Sequence, residues 1–282
     1  MKIERIINNN VVSALDQQGI EIVAMGKGIG FQKKAGQELD ESRVEKIFRL
    51  EGPEVMRHFT ELVANMSLVC IQVSDEIISH AKKVLTRQLG QSVYLTLTDH
   101  IDFALKRLKK GMAFENALYS EIKHFYPEEF KVGTYALDLI ENKIGVRLPE
   151  DEAASIAFHL VNAEFGMKLN QTHMMTEMIR HLVDIVESVC PLAGDSIYKD
   201  RLITNLKFIL NRLLLHKPLA AVRDPVFNEF IKNHCCEEYS LAVRMSEYVN
   251  SVSECMMMED EIIYLTIQLK YTININVNNE SS

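Results

Sequence analysis

Two histidines carry the most reactive chemistry this sequence offers, and each has a counterpart elsewhere in the chain that cannot do the same. His100 lies in LTDHIDFALKRL, residues 97–108. The run LITNLKFILNRL, residues 202–213, repeats it with identical residues at five of twelve positions, but Asn205 stands where His100 would be. His159 follows Glu152 by seven residues in EDEAASIAFHLVNAE, and Gln268 follows Glu261 by seven in EDEIIYLTIQLKY. A neutral imidazole nitrogen is a competent nucleophile near neutral pH. A phosphoryl group placed on it adds about −1.5 to −2 charges, by analogy with other phospho-residues. Asn and Gln have comparable size and still form hydrogen bonds, but they neither titrate nor accept phosphate. A single histidine on a helix flank is more often a satisfied structural residue than a reactive one. The paired loss at matching positions favours a functional pair. Asp99 can help orient His100 or tune its basicity, although adjacent helical residues do not face each other. Metal binding has little support: HExxH and CxxC are absent, and His234-Cys235-Cys236 lacks structural-zinc spacing. Neither a metal nor a cofactor is expected.

A second chemistry-bearing stretch is AMGKGIGFQKKAG, residues 24–36. Its glycines alternate as GxGxG rather than GxGxxG, no GxxxxGK[ST] occurs, and no helical pattern follows, so a nucleotide loop is not indicated. Alternating glycines let a backbone approach something closely, such as nucleic acid. Phe31 supplies a stacking ring, Lys27, Lys33 and Lys34 supply phosphate contacts, and Asn8, Asn10 and Gln32 supply edge-reading amides. The competing reading is a bulged hairpin with Phe31 in a small core, and composition alone does not separate the two.

The elements that must hold these residues fall into three segments. Over the first ~50 residues, the strand-like runs IERII, VVSAL and IEIVAM are separated by turn signals at NNN (8–10) and DQQG (16–19), which predicts a small antiparallel sheet. Gly52-Pro53 breaks this pattern as a linker, and helical periodicity takes over. Leu97, Ile101, Leu105 and Leu108 mark one stripe, and Leu202, Leu206, Leu210 and Leu213 mark it again. Ala153, Ile156, Ala157, Leu160 and Val161 form an apolar face after an acidic helix start at Glu150. The two motifs recur in the same order at offsets of 105 and 109 residues, which predicts two homologous helical modules. MKLNQT, residues 167–172, is a polar candidate joint between them.

The 282 residues carry a net charge of −8, divided unevenly. Residues 1–50 hold eight Lys/Arg against seven Asp/Glu, and the rest hold 23 against 32. An acidic body argues against wholesale nucleic-acid coating, whereas the head can present a local basic face. No apolar run approaches the ~18 residues of a membrane span, and MKIERIINNN is not a signal peptide. Five unpatterned cysteines fit a reducing cytoplasm.

The run MKIERIINNNVVSALDQQGIEIVAMGKGIGFQKKAG resembles the co-antiterminator RNA-binding domain of the BglG/LicT/SacY family of bacterial transcriptional antiterminators. The repeats, with LTDH at 97–100 and FHLVNAE at 158–164, resemble that family's tandem phosphotransferase-system (PTS) regulation domains. The resemblance covers nearly the whole chain. It implies a multidomain α+β architecture: a four-stranded antiparallel RNA-binding domain over residues 1–56, then two homologous all-α bundles over 64–169 and 170–278. The implied partners are an RNA hairpin called the ribonucleic antiterminator, a second copy of the chain in a homodimer, and the sugar-specific PTS enzyme II as phosphodonor to the first regulation domain. Membrane insertion is not expected. Carried over position by position, RNA contacts fall on Arg5, Asn8, Asn10, Gly26, Lys27, Gly28, Phe31 and Gln32, and first-domain phosphorylation falls on His100 and His159. The second-domain acceptor positions fall on Asn205 and Gln268, so activation by the carrier HPr is expected to be lost or bypassed. The tail YTININVNNESS also departs from the charged helical ending of relatives and is expected to be frayed. Two other classes fit the sequence less well. A phosphoryl-transfer or hydrolytic enzyme lacks a nucleotide loop and a ligand set, and a DNA-binding regulator lacks a helix-turn-helix signal ahead of the repeats.

Overall fold

The computed structural model describes residues 1–49, 52–112, 114–190, 197–217 and 224–279. The chain divides into two compact units, Met1–Gly166 and Met167–Ser282.

The first unit opens with four antiparallel strands in sequential order, β1 (Lys2–Asn8), β2 (Val11–Leu15), β3 (Glu21–Met25) and β4 (Lys46–Phe48). The predicted turns close the first two hairpins. Asn8 pairs with Val11 across one, and Leu15 pairs with Glu21 across the other. The central run VVSAL is apolar at nearly every position because β2 is buried on both faces. Val12, Ala14, Ile22 and Ala24 pack beneath Ile29 and Leu39 of the returning loop. Val11, Val23, Met25 and Phe48 face the other way, against Met56, Phe59 and Val63 of helix α1 (Pro53–Ala64). Gly52-Pro53, read as a linker, is a strand-to-helix turn, with Pro53 in the first helical turn where its missing N–H costs nothing.

The same unit continues with α2 (Leu68–Val84), α3 (Ser92–Lys109), α4 (Tyr119–Phe125), α5 (Pro127–Ile144) and α6 (Asp151–Phe165). The stripe on α3 is buried as expected at Leu97, Ile101 and Leu105, with Leu108 packed against the same core. Tyr94 of α3 also reaches the sheet, its ring 5.6 Å from Phe48 in an edge contact, so the sheet and the helices share one apolar cluster. Helix α6 is buried at every residue from Glu152 to Ala163. A helix enclosed on all sides belongs at the centre of its bundle. Its polar residues Glu152, Ser155, His159 and Asn162 recur at spacings of three, four and three, which lines them up along one face of the helix.

The second unit contains α7 (Leu169–Glu187), α8 (Ile197–Leu214), α9 (Pro225–His234), α10 (Cys236–Val252) and α11 (Glu259–Asn279). Helix α7 begins inside the stretch read as a joint. The α8 stripe at Leu202, Leu206, Leu210 and Leu213 is buried, as in α3. In the tail the backbone is helical through Asn279, and the last three residues lie outside the described residues. The segment contains no Gly or Pro that would stop the helix. Among the described residues, no helix is long and apolar enough to cross a membrane.

Candidate functional site

His100 on α3 and His159 on α6 come together in the first unit, with ring centroids 4.7 Å apart. His100 Nε2 lies 2.9 Å from Oε2 of Glu152. The other oxygen of Glu152 accepts from Arg107, about two helical turns further along α3, and Arg107 in turn lies 3.7 Å over the ring of Phe114. Glu152 is 1% exposed, so its pairing with Arg107 answers the cost of burying a carboxylate. His159 is sealed more deeply. Its Nδ1 is buried without a hydrogen-bond partner among the described residues. Burial, with a contribution from the neighbouring His100, holds the His159 imidazole down to about 3.

The second unit repeats this frame with different chemistry. Arg212 on α8 donates to Glu261 at 2.8 Å, as Arg107 does to Glu152. Asn205 Nδ2 donates to Oε1 of Gln268 at 2.6 Å, at the positions of the two histidines. With no imidazole to engage, the second oxygen of Glu261 accepts from the backbone N–H of Met258, ahead of α11. The Arg–Glu pair is therefore scaffold common to both modules, and in the first module the free carboxylate oxygen has been turned toward His100. Sequence reasoning missed Arg107 and Glu152 as parts of the site and looked to Asp99 instead. The signal was present: Arg107 matches Arg212 and Glu152 matches Glu261 across the repeat. No group of three or more His, Cys, Asp or Glu among the described residues is arranged to hold a metal ion.

The residues expected at the RNA surface lie in and around the loop that follows β3. Arg5, Lys27, Phe31 and Gln32 are exposed, Phe31 by 58%, which removes Phe31 from the small core that the competing reading gave it. Gly26 and Gly30 serve the fold itself. A Cβ on Gly26 would stand 1.9 Å from the carbonyl oxygen of Arg43, and one on Gly30 would stand 2.4 Å from that of Asn8. Gly28 has φ +70° with open space where a side chain would be. The Asn8 and Asn10 amides are engaged within the protein. Asn10 Oδ1 accepts from Gly28 N at 2.9 Å, and Asn8 Nδ2 donates to the Val63 and Ala64 carbonyls at the end of α1, at 3.2 and 3.3 Å. A further chain of contacts ties this loop to the helices. Glu45 accepts from Lys27 N at 3.2 Å through one oxygen and from Gln72 of α2 at 2.5 Å through the other. Lys46 pairs with Asp75 of α2 at 2.9 Å.

Comparison with known proteins agrees with this layout. Residues 1–56 match the CAT RNA binding domain, and residues 75–163 and 180–272 each match the PRD domain. The chain is 38% identical over 275 residues to the transcription antiterminator LicT of Bacillus subtilis, covering 97% of this chain and 99% of that one. It is 34% identical to the β-glucoside operon antiterminator of Dickeya chrysanthemi, covering 96% of each. Among solved structures, that of GlcT CAT-PRDI matches with a TM-score of 0.50 and 32% identity, over 58% of this chain and 97% of that one. These relatives are regulators rather than enzymes. With both regions of the fold matched in order over nearly its full length, the chain belongs to the family of transcription antiterminators that join a CAT RNA-binding domain to two PRD domains.

Proposed function

We propose that the chain binds a ribonucleic antiterminator hairpin in nascent mRNA and holds it against an overlapping terminator, so that transcription continues into a sugar-utilisation operon. The inferred operon is one for β-glucosides, by analogy with the Dickeya relative. Arg5, Lys27, Phe31 and Gln32 grip the RNA from exposed positions. Asn8, Asn10, Gly26 and Gly28 complete that surface and hold its shape. The working form is a cytoplasmic homodimer in which two sheets share one hairpin. The RNA-binding domain spans residues 1–56, and the regulation domains span 64–169 and 170–278.

Control acts at His100 and His159. The sugar-specific PTS enzyme II phosphorylates them when the sugar is absent, and the added negative charge rearranges the dimer and weakens its hold on RNA. The single observation that carries this reading is the replacement of a close imidazole pair by an Asn205–Gln268 hydrogen bond in an otherwise repeated frame. Only the first module retains acceptor groups at these positions, so HPr-dependent activation through the second is lost.

Phosphotransfer from reconstituted PTS components, followed by site mapping and a gel shift with hairpin RNA, tests the proposal. Label is expected on the first module alone, with weaker RNA binding after labelling. An H100A/H159A chain is expected to antiterminate without the sugar. Strong HPr-dependent labelling in the second module, or unchanged RNA binding after labelling, overturns it.

A further inference from the structure

We infer that Glu152 is a positioning residue that fixes the tautomer of His100 and directs an incoming phosphoryl group to Nδ1. This rests on the reading of His100 as a phosphoryl acceptor. The geometry behind it is local. Glu152 Oε2 lies 2.9 Å from His100 Nε2, and Oε1 is held by Arg107. An ionised carboxylate only accepts hydrogen bonds, so the ring nitrogen facing it carries the hydrogen. That leaves the nucleophilic lone pair of the neutral ring on Nδ1. A carboxylate fixing an imidazole in one tautomer is a recurrent device wherever one ring nitrogen must react.

The repeat supplies an internal control. Where Asn205 replaces the histidine, the corresponding oxygen of Glu261 turns to the Met258 backbone N–H, while the Arg212 pairing persists. Arginine pairing is thus the structural duty of this glutamate, and the His100 contact is an addition peculiar to the first module. His159 does not compete for the same role in this conformation, because its Nδ1 is buried.

The transfer step balances without another group. The Nδ1 lone pair attacks phosphorus and forms the N–P bond. The bond from phosphorus to the donor's leaving atom breaks, and its electron pair departs with that atom. The ring, now phosphorylated at Nδ1 and still protonated at Nε2, is an imidazolium, and Glu152 faces its positive edge.

Two measurements on the full chain decide the matter. Long-range 1H–15N correlation spectra of histidine-labelled protein read the tautomer with no donor present, the His100 signals being assigned from an H100Q chain. The Nε2–H form is expected in the wild type, a mixture of tautomers in E152A, and the Nδ1–H form in E152Q, whose single oxygen stays with Arg107 and whose NH2 then faces His100. Treatment with phosphoramidate, followed by identification of the phosphohistidine isomer, is expected to give the Nδ1 isomer at His100 in the wild type. That preference should fall at least tenfold in E152A and shift toward the Nε2 isomer in E152Q. Hydrogen on Nδ1, or phosphate on Nε2, in the wild type overturns the inference, and both are read without any variant that must fold. If the tautomer is as stated yet PTS donors never label His100, the functional reading fails while the role of Glu152 in fixing the ring stands.

Discussion

Asn205 and Gln268 are joined by a 2.6 Å hydrogen bond at the two positions where the first regulation module sets His100 against His159. The two amides hydrogen-bond to each other, whereas Nδ1 of His159 has no hydrogen-bond partner among the described residues. An unsatisfied buried nitrogen costs roughly 1–3 kcal/mol. At this position the first module bears that cost and the second does not, as expected if only the first keeps a working switch.

Restoring the imidazoles should restore an acceptor. In an N205H/Q268H chain, Glu261 and Arg212 are already in place to orient the new ring. Phosphate labelling of the second module by HPr is expected to rise from background to a level comparable with the first, as read by peptide mapping. No gain would mean that docking determinants disappeared along with the histidines.

Phe31 offers a clean separation of binding from folding. Its ring is 58% exposed, so F31A is expected to change folding stability by no more than about 0.5 kcal/mol. Loss of base stacking should weaken hairpin RNA binding by about 1–3 kcal/mol, or roughly five- to 160-fold, in a titration at fixed salt. A large drop in melting temperature would return Phe31 to a core role.

Gly30 should behave in the opposite way. An added Cβ would meet the Asn8 carbonyl oxygen at 2.4 Å, backbone against side chain, with little room to adjust. G30A is expected to cost about 1–3 kcal/mol of stability and to disturb the loop bearing Phe31, so thermal melts and RNA titration should deteriorate together.

The buried histidine predicts an acid-sensitive module. His159 stays neutral in the folded chain down to about pH 3, against an ordinary value of 6.5. Between those values the unfolded chain binds a proton that the folded chain refuses. Stability from this group is therefore complete above pH 6.5 and falls as pH drops through the window, by up to about 1.4 kcal/mol per unit. H159Q, which borrows the amide of the second module, should flatten that dependence in denaturant melts at pH 4.5 and 7.5. An unchanged slope would place the acid sensitivity elsewhere.

Much of this architecture can be read from local pattern. Alternating apolar runs with Asn- and Gly-bearing turns mark β1 to β3, and the i, i+4 stripes mark α3 and α8, because side-chain periodicity follows directly from backbone geometry. The three-residue β4 carries too little periodicity to show itself in the residues. The resemblance, rather than any motif, supplied the fourth strand. Likewise Asp99, adjacent to His100 in sequence, was the natural candidate for its partner, but adjacent helical residues diverge and the true partner is fifty-two positions away.

The amino-acid order by itself determined that two helical modules repeat, that a small sheet precedes them, and that both imidazoles occur in one copy only, since each of these is a matter of residue type and spacing. Only the tertiary structure decided which carboxylate meets His100, that His159 is buried, and that Gly26 and Gly30 make room for the protein's own backbone. Those depend on how α3 packs against α6 and how the loop folds back on the sheet, and such long-range contacts are set by the summed packing of the core rather than by any neighbouring residue.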